Sequence, residues 1–385
     1  MTASVMLVYG TRPEAIKMAP VVKELTLHPS LRPIVVVTGQ HREMLDQVNR
    51  VFGIVPDHDL NIISPGQSLT EITVRSLAGL EPLLKAERPD LVLVQGDTTT
   101  CFAASLASFY QQIPVAHLEA GLRTDNRYNP FPEEINRRLT TQVASLHLAP
   151  TTLARNNLLA CGVDPATITV TGNTVIDALL EVTASEHPIS DPTLAALASA
   201  RVSPLLLVTS HRRESWGEPL TRTASAIARL VRAFPDLHVL LPAHRNPIVR
   251  DALLPTLGGL DRVHVTEPLD YPDFCRALQL ATIVLTDSGG VQEEAPALGK
   301  PVLVLRETTE RPEAVQAGAA RLVGTDPEAI VAETTRLLND ADHFQSMIQA
   351  GSPYGDGRAA ERAVRAMAHL LGLGDAPDEF LPDPS

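Results

Sequence analysis

Short apolar segments rich in Val, Leu and Ile alternate with longer amphipathic segments along this sequence. The short segments have the length and composition of buried strands, and the longer ones space their apolar residues as a helix does. Strands that alternate with helices form parallel sheets covered by helices. The sequence therefore predicts an α/β fold, with strands at residues 5–9, 33–38, 90–94, 114–118, 205–209, 238–241, 263–265, 283–286 and 302–305.

The predicted helices lie at residues 14–27, 42–52, 69–88, 99–111, 220–233, 289–299, 326–338 and 359–371. A chain of 385 residues is longer than one hydrophobic core usually organises. We therefore expect two domains, with the chain crossing from the first to the second near residue 170. The Pro- and Gly-rich tail at residues 372–385 is expected to be disordered.

Composition and missing motifs argue against several functions. The net charge of −13 argues against nucleic-acid binding. Cys101, Cys161 and Cys275 have neither metal-site nor redox spacing, as expected in a reducing cytoplasm. We see no signal-peptide pattern and no apolar segment that would enter a membrane. The glycine motifs of dinucleotide-binding and P-loop proteins and the histidine spacing of metal sites are also missing, so we expect neither a nicotinamide cofactor nor a metal.

The segment at residues 286–300, TDSGGVQEEAPALGK, changes from a strand to a helix. Ser288, Gly289 and Gly290 would open that helix with free backbone N–H groups and the positive end of its dipole, which together favour a phosphate. Glu293 and Glu294 follow one turn later, where one of them could accept hydrogen bonds from ribose hydroxyls. The alternative is an ordinary turn in which the glycines serve only the backbone.

Charged or imidazole side chains follow nearly every predicted strand, at the ends where parallel sheets bind ligands. We expect two facing domains to gather these groups in one cleft. Carboxylates that lie close together raise one another's pKa, as a general acid at neutral pH requires. The groups suited to a diphosphate are Arg12, Lys17, His211, Arg311 and the amides of 288–290, and those suited to proton transfer are Asp97, Glu119 and Glu133.

Simpler interpretations exist for single members of this set. Asp97 could cap the helix that follows it, and Arg12 with Pro13 could simply start a helix. His211 could lie on a surface loop. Residues 131–138 could form a solvated helix with i,i+4 pairs, and for Glu134 and Arg138 we prefer that interpretation.

Many segments in order resemble the non-hydrolysing UDP-N-acetylglucosamine 2-epimerases of bacteria, from residue 10 to about residue 365. The segments that carry the resemblance are GTRPEAIKMAP, QHREMLDQV, QGDTTT, HLEAGLRT, PFPEEINRR, GNTVIDALL, SHRRES, TDSGGVQEEAPALGKPVLVLRETTERPEA and SPYGDGRAAERA. The resemblance implies two Rossmann-like domains of the glycosyltransferase B type, with the last helix packed back on the first domain. It also implies a homodimer, no cofactor, and a role in supplying cell-envelope polysaccharides.

The activity that the resemblance implies is the reversible conversion of UDP-GlcNAc to UDP-ManNAc. Anti elimination of UDP would give 2-acetamidoglucal, and UDP would then add back. Asp97 and Glu119 would transfer the protons at C2, Glu133 would assist or orient the sugar, and His211 would stabilise the diphosphate. The residues matching substrate-binding positions are Arg12, Lys17, Phe274, Ser288, Gly289, Gly290, Glu294 and Arg311.

Some members of the family also have a regulatory site, and this sequence departs from the family pattern at two places. Gln40, His41 and His244 match parts of a regulatory site that binds a second UDP-GlcNAc in some members. An arginine of that site is replaced near residues 66–67, and Leu269 stands where some relatives carry glutamine.

Three alternatives remain open at this point: a glycosyltransferase of the same fold, a hydrolysing epimerase, and a non-catalytic sugar-nucleotide sensor.

Overall fold

The computed structural model describes residues 2–40, 42–64, 66–124, 126–185, 187–212 and 215–382. The chain forms two compact units. The first runs to Ala178 and also includes Tyr354–Pro382, and the second runs from Leu179 to Pro353. The division falls inside a helix, α7 (Thr174–Ala184), later in the chain than the crossing predicted near residue 170.

The first unit is built on a seven-stranded sheet in the order β3-β2-β1-β4-β5-β6-β7, and all its strand pairs are parallel. Strand β1, in the interior of the sheet, is completely buried from Val5 to Tyr9, as expected for a sheet covered on both faces. The strands are β1 Ala3–Tyr9, β2 Leu31–Val37, β3 His58–Asp59, β4 Leu91–Gln95, β5 Val115–Leu118, β6 Leu146–Ala149 and β7 Ile168–Val170.

Helices connect these strands, and the last helix of the chain packs against the first within this unit. A short 3-10 helix, Pro165–Thr167, precedes β7. The α-helices besides α7 are α1 Arg12–Leu27, α2 Arg42–Val51, α3 Leu69–Glu87, α4 Thr99–Tyr110, α5 Glu133–Val143, α6 Thr152–Ala160 and α16 Ala359–Leu370.

The second unit repeats the architecture with a six-stranded parallel sheet in the order β10-β9-β8-β11-β12-β13. Its strands are β8 Leu205–Thr209, β9 His238–Pro242, β10 Val263–Thr266, β11 Ile283–Thr286, β12 Val302–Val304 and β13 Ala320–Leu322. Its helices are α8 Pro192–Ser199, α9 Glu218–Ala233, α10 Pro247–Leu257, α11 Tyr271–Leu280, α12 Gly289–Ala297, α13 Pro312–Ala317, α14 Pro327–Asn339 and α15 Ala341–Gln349. Across the described parts of both units, no helix combines the length and apolarity that a membrane span requires.

Each sheet has one point where the order of strands reverses. In the first unit the chain moves from β1 outward to β2 and β3, and then returns to place β4 on the other side of β1. In the second unit β8 is flanked in the same way by β9 and β11. Open parallel sheets bind ligands at the carboxyl ends of strands beside such reversals. Ligand-binding sites are therefore expected at the turns after β1, β4, β8 and β11.

The α/β prediction with two parallel sheets is confirmed, although several elements were missed. Strand β6 was not predicted because its sequence, LHLA, is short and contains a histidine. Helix α8 was not predicted because its sequence, PTLAALAS, is short and its apolar residues are mostly alanine, and Asp191 caps it by accepting a hydrogen bond from Leu194 N. Helix α11 was missed because its apolar residues run almost directly into β11.

The prediction of a disordered tail is wrong for residues 372–382. Phe380 is only 4 % exposed, and its backbone N–H donates to the Val170 carbonyl at the end of β7. Glu379 accepts from Val170 N at 3.1 Å and pairs with Arg155 at 2.6 Å. The tail thus supplies hydrogen-bond partners to an edge strand, which a Pro- and Gly-rich composition does not reveal. Residues 383–385 lie outside the described residues.

Candidate active site

The turn after β1 is organised by a buried carboxylate. Glu14 is 1 % exposed and accepts hydrogen bonds from Gly10 N at 3.0 Å and Thr11 N at 2.8 Å. Thr11 is the N-cap of α1, and the bond from its backbone N–H to Glu14 is one of the two contacts of a capping box. Gly10 is required here, because an added Cβ would lie 2.1 Å from Thr38 Oγ1. The half-buried Arg12 is the first residue of the helix, and none of the described residues is seen to pair with its side chain.

Asp97 follows β4 and is held from helix α5. Arg137 Nη2 donates to Asp97 Oδ2 at 2.5 Å, and Asn136 Nδ2 donates to the Asp97 carbonyl at 2.9 Å. The neighbouring Thr98 is the N-cap of α4, because its hydroxyl accepts from Cys101 N at 3.0 Å. The interpretation of Asp97 as a helix cap is therefore wrong, and its carboxylate is directed to a buried guanidinium instead.

Glu119 follows β5 in an unusual backbone conformation, with a φ of 64° in the left-handed region. Its carboxylate pairs with Lys17 and accepts from Gln95 Nε2, and Asn173 Nδ2 donates to it at 3.1 Å. A non-glycine residue at positive φ is uncommon and persists where its surroundings determine it. Three donors, from α1, β4 and the segment before α7, therefore fix the position of one carboxylate.

Helix α5 begins at Glu133, which is half-buried. The predicted pair of Glu134 with Arg138 is present at 2.6 Å, but Glu134 is fully buried, so this face of the helix is not solvated. Arg137 contacts Asp97 and lies 3.3 Å from Glu134 Oε2, and it was not assigned a role from the sequence. We refer below to Asp97, Glu119 and Glu133 as the carboxylate cluster.

Two buried histidines lie on adjacent strands of the first sheet. His117 of β5 is paired in register with His147 of β6. His117 Nε2 lies 2.7 Å from the Gly96 carbonyl, so this nitrogen carries the proton. Burial lowers the pKa of both imidazoles to about 4, which keeps both rings neutral at neutral pH. His117 thereby supports the residue that immediately precedes Asp97.

In the second unit, the turn after β11 opens helix α12 as predicted. Ser288 is the N-cap, its side chain makes no capping hydrogen bond, and Gly289 is the first helical residue. A Cβ added to Gly289 would lie 3.4 Å from Arg212 Nη2 and 3.4 Å from Arg311 Cζ. Two guanidinium groups thus lie beside the positive end of a helix, which is an arrangement suited to a phosphate. We refer below to Ser288, Gly289, Gly290, Arg212 and Arg311 as the anion seat.

Buried acidic residues hold these arginines in place. Arg311 Nε donates to Glu293 Oε1 at 2.8 Å, and Glu310 lies 3.5 Å from both Arg311 Nη1 and Arg212 Nη2. Burial alone would raise the pKa of Glu310, but Arg311, Arg306 and Arg212 together lower it to about 2. Glu293 therefore anchors an arginine, and Glu294 stays the carboxylate that the sequence proposes for ribose.

Asp287 was not selected from the sequence, yet it organises the turn after β8. This fully buried carboxylate accepts from Ser210 Oγ at 2.9 Å, His211 N at 2.9 Å and Arg212 N at 3.0 Å. His211 Nδ1 lies 3.6 Å from Asp287 Oδ1, and the His211 side chain is 41 % exposed. An acidic residue at the end of a central strand, before two glycines, is the signal that could have indicated this role.

The other predicted binding residues of the second unit are Glu294 on α12 and Phe274 on α11. Tyr271 donates its hydroxyl to Glu294 Oε1 at 3.3 Å. Phe274 is half-buried on α11, and Leu269 is 7 % exposed just before that helix.

The predicted regulatory residues are divided between the units. Thr100 donates to Gln40 in the first unit at 3.1 Å. In the second unit the rings of His244 and His211 stack with 5.6 Å between centroids. His41 lies outside the described residues.

Comparison with known proteins identifies the family. The family model described as UDP-N-acetylglucosamine 2-epimerase matches residues 23–368. The chain belongs to the UDP-N-acetylglucosamine 2-epimerase family. It is 52 % identical to the UDP-N-acetylglucosamine 2-epimerase of Bacillus subtilis (strain 168), and the alignment covers 98 % of each protein.

Solved structures of epimerase-family proteins share the fold. A crystal structure from Listeria monocytogenes superposes with a TM-score of 0.93 at 49 % identity, and the match covers 99 % of this chain and 100 % of that one. The UDP-GlcNAc 2-epimerase of Neisseria meningitidis, solved with UDP-GlcNAc bound, gives a TM-score of 0.86 at 45 % identity and covers 96 % of this chain and all of its own. The fold of this epimerase-family chain is therefore of the glycosyltransferase B type.

Proposed function

We propose that this chain interconverts UDP-GlcNAc and UDP-ManNAc without hydrolysing either sugar nucleotide. The proposal rests above all on Asp97 and Glu119, which follow neighbouring strands and are each held by fixed donors. Two positioned carboxylates are what proton transfer at two faces of one carbon requires. The Neisseria meningitidis relative was solved with UDP-GlcNAc bound, which supports this choice of substrate.

The anion seat would bind the diphosphate of UDP. Gly289 N and Gly290 N belong to the first turn of α12, where amide groups lack partners within the helix. Arg212 and Arg311 supply positive charge beside them, and Arg311 is kept in position by Glu293. Glu294 would accept from the ribose hydroxyls, and Phe274 would lie against the uracil. In the first unit, Arg12 and Lys17 match substrate-binding positions of the family.

The forward reaction would be an anti elimination. One carboxylate of the cluster takes the proton from C2, and the C2–H electron pair becomes the second bond between C1 and C2. The C1–O bond, which lies on the opposite face of the ring from the C2–H bond, breaks at the same time, and its electrons leave with the diphosphate oxygen of UDP. The products at this stage are 2-acetamidoglucal and UDP, and both remain bound.

The return step would complete the epimerisation. The diphosphate oxygen adds to C1, and a proton is delivered to the opposite face of C2 by the other carboxylate. Glu133 would orient the sugar, and His211 would stabilise the departing diphosphate from its place beside Asp287. Re-addition of the same UDP reverses the elimination, so the overall change is isomerisation and no cofactor is consumed.

Proton NMR of UDP-GlcNAc with the purified protein in D₂O tests this function. The proposal predicts UDP-ManNAc, with deuterium at C2 in both sugar nucleotides. Free ManNAc with free UDP would instead identify a hydrolysing epimerase. Unchanged UDP-GlcNAc that nonetheless binds would contradict epimerisation, and sugar acceptors would then separate a transferase from a sensor.

A further inference from the structure

Glu14 has one hydrogen bond that helix capping does not explain. Its contacts with Gly10 N and Thr11 N lie at the N-terminus of α1, where the contact with Thr11 N is that of a capping box. Its second oxygen accepts from Thr98 Oγ1 at 2.6 Å, across 84 positions of sequence. Thr98 lies at the beginning of α4 and is bonded covalently to Asp97. Glu14 therefore connects the turn after β1 with the turn that carries Asp97.

The site of this contact is the strand reversal of the first sheet, between β1 and β4. Thr98 uses the same oxygen to accept from Cys101 N at 3.0 Å, so one hydroxyl both caps α4 and donates to Glu14. Because Glu14 is 1 % exposed, water cannot replace the Thr98 hydroxyl without rearrangement of the turn. The contact thus restrains the backbone on one side of Asp97.

The opposite side of Asp97 is restrained from helix α5. Asn136 holds its carbonyl oxygen and Arg137 holds its carboxylate. These two contacts fix where the Asp97 side chain points only if the backbone at residues 97–98 is itself fixed. The Glu14–Thr98 hydrogen bond provides that second restraint.

We propose that Glu14 is a positioning residue for the epimerase reaction and acts on Asp97 through Thr98. The inference rests on the proposed function, because it assigns Asp97 to a proton transfer at C2. Glu14 itself touches no substrate in this account. A displacement of about 1 Å at a catalytic group can lower a rate by about 100-fold, so a loss of this restraint has measurable consequences.

Burial has a further consequence for Glu14. Desolvation raises the pKa of its carboxyl group, and the donors from Thr98, Gly10 and Thr11 counteract part of that rise. An ionised carboxylate in this position needs all three donors. Removal of the Thr98 hydroxyl therefore disturbs the whole turn as well as one contact.

The test compares three threonine variants of the full chain. Thr98→Val removes the hydroxyl, and Thr98→Ser keeps it. Thr151→Val is the matched control, because Thr151 caps α6 in the same unit by accepting from Ala154 N at 3.1 Å. Each variant is assayed for kcat, KM and C2 deuterium exchange with UDP-GlcNAc, and for the UDP dissociation constant by calorimetry.

We expect Thr98→Val to lower kcat and C2 exchange by about 10- to 100-fold, while KM and the UDP dissociation constant change by less than about threefold. Thr98→Ser and Thr151→Val should keep kcat within about threefold of the unaltered chain. A Thr98→Val variant with unaltered kcat would overturn the inference. So would an equal loss of kcat in Thr151→Val, since that result would point to a general effect of cap removal.

A double-variant cycle adds a second test. Glu14→Gln should lower kcat as Thr98→Val does, and the combined variant should be no slower than the slower single variant, because both remove one restraint. Losses that multiply would overturn the inference. If Glu14→Gln does not fold, the comparison of Thr98→Val with Thr98→Ser decides the matter alone. A wild-type chain without C2 exchange would refute the proposed function itself, and the inference would fall with it.

Discussion

Both units place a buried carboxylate at the strand reversal of their sheet. In the first unit Glu14 holds Gly10 N, Thr11 N and the Thr98 hydroxyl. In the second unit Asp287 holds His211 N, Arg212 N and the Ser210 hydroxyl. In each case the carboxylate binds two consecutive amides and one hydroxyl. Each unit thus uses a buried carboxylate to fix a turn at its own strand reversal.

The functional groups on these turns differ between the two units. The turns of the first unit carry Asp97 and Glu119, whose carboxylates are themselves bound by Arg137 and Lys17. The turns of the second unit carry free helix amides and the guanidinium groups of the anion seat. We infer a division of function, in which the first unit transfers the protons and the second binds the diphosphate. The predictions below test this division, beginning with the largest effect.

Glu119→Gln should lower kcat and C2 exchange by about 10²- to 10⁴-fold, because the amide cannot accept the C2 proton. The UDP dissociation constant should be unaltered, since the anion seat belongs to the other unit. Steady-state kinetics and calorimetry measure the two quantities. Glu71→Gln, on an exposed capping residue of α3, is the control and should change neither. A matched loss of UDP affinity in Glu119→Gln would contradict the division.

A pH titration of stability tests the two buried histidines of the first unit. His117 and His147 have folded pKa values of about 4, below the ordinary value of 6.5. Below pH 6.5 the unfolded chain therefore binds protons that the folded chain does not, and stability falls as the pH decreases toward 4. We expect a loss of about 1 to 2 kcal/mol for each histidine between pH 7 and pH 5.

Denaturant unfolding followed at both pH values measures this loss. His147→Gln should reduce the dependence on pH, whereas His187→Gln, an exposed residue of the second unit, should leave it unchanged. The same slope in all three proteins would show that these buried imidazoles are not its source.

Arg311→Ala should raise the UDP dissociation constant by about 10- to 100-fold, because a charge-assisted contact with phosphate is lost and Glu293 is left without its guanidinium. At saturating substrate, kcat should change far less. Calorimetry with UDP and saturation kinetics measure the two effects. Arg222→Ala, which removes an exposed arginine of the same unit, is the control. A fall in kcat at unaltered affinity would refute the assignment of Arg311 to binding.

Gly289→Ala should have the smallest effect. The new methyl group would reach ordinary contact distance from Arg212 and Arg311, so the fold should be kept. It would also occupy space beside the helix amides, and we expect UDP binding to weaken by about three- to tenfold. Gly259→Ala, where nothing lies within 4 Å of the added Cβ, is the control for thermal stability and for affinity. Unaltered UDP affinity in Gly289→Ala would argue that the phosphate binds elsewhere.

The comparison also shows what could be read from the sequence. The SGG turn was visible because strand, glycines and helix are consecutive, and consecutive residues define an anion site through backbone geometry alone. Asp97 and Glu119 were visible as polar residues after apolar strands. The sequence did not show that Arg137 turns away from Glu133 to reach Asp97, because that contact spans 40 positions.

For a related reason, the sequence did not indicate the residues that hold Asp97 and Glu119 in place. Glu14 looks like a capping residue, and its sequence neighbours explain two of its three hydrogen bonds. Asn173 stands in a short segment before α7 and donates to Glu119, 54 positions earlier. Tertiary partners of this kind depend on the order of strands in the sheet, which alternation alone does not specify. The prediction of a disordered tail was wrong for the same reason, because the partner of Phe380 on β7 is distant in the sequence.

The most direct test of the central claim follows the C1–O bond. UDP-GlcNAc carrying ¹⁸O in the oxygen between C1 and phosphorus is incubated with the protein, and recovered sugar nucleotide is examined by ³¹P NMR. Elimination and re-addition predict that the label spreads into the non-bridging oxygens of the β-phosphate, because these become equivalent in free UDP. Deuterium should enter C2 in the same samples. Complete retention of the label in the bridge, with deuterium at C2, would contradict elimination and require a mechanism in which the C1–O bond never breaks.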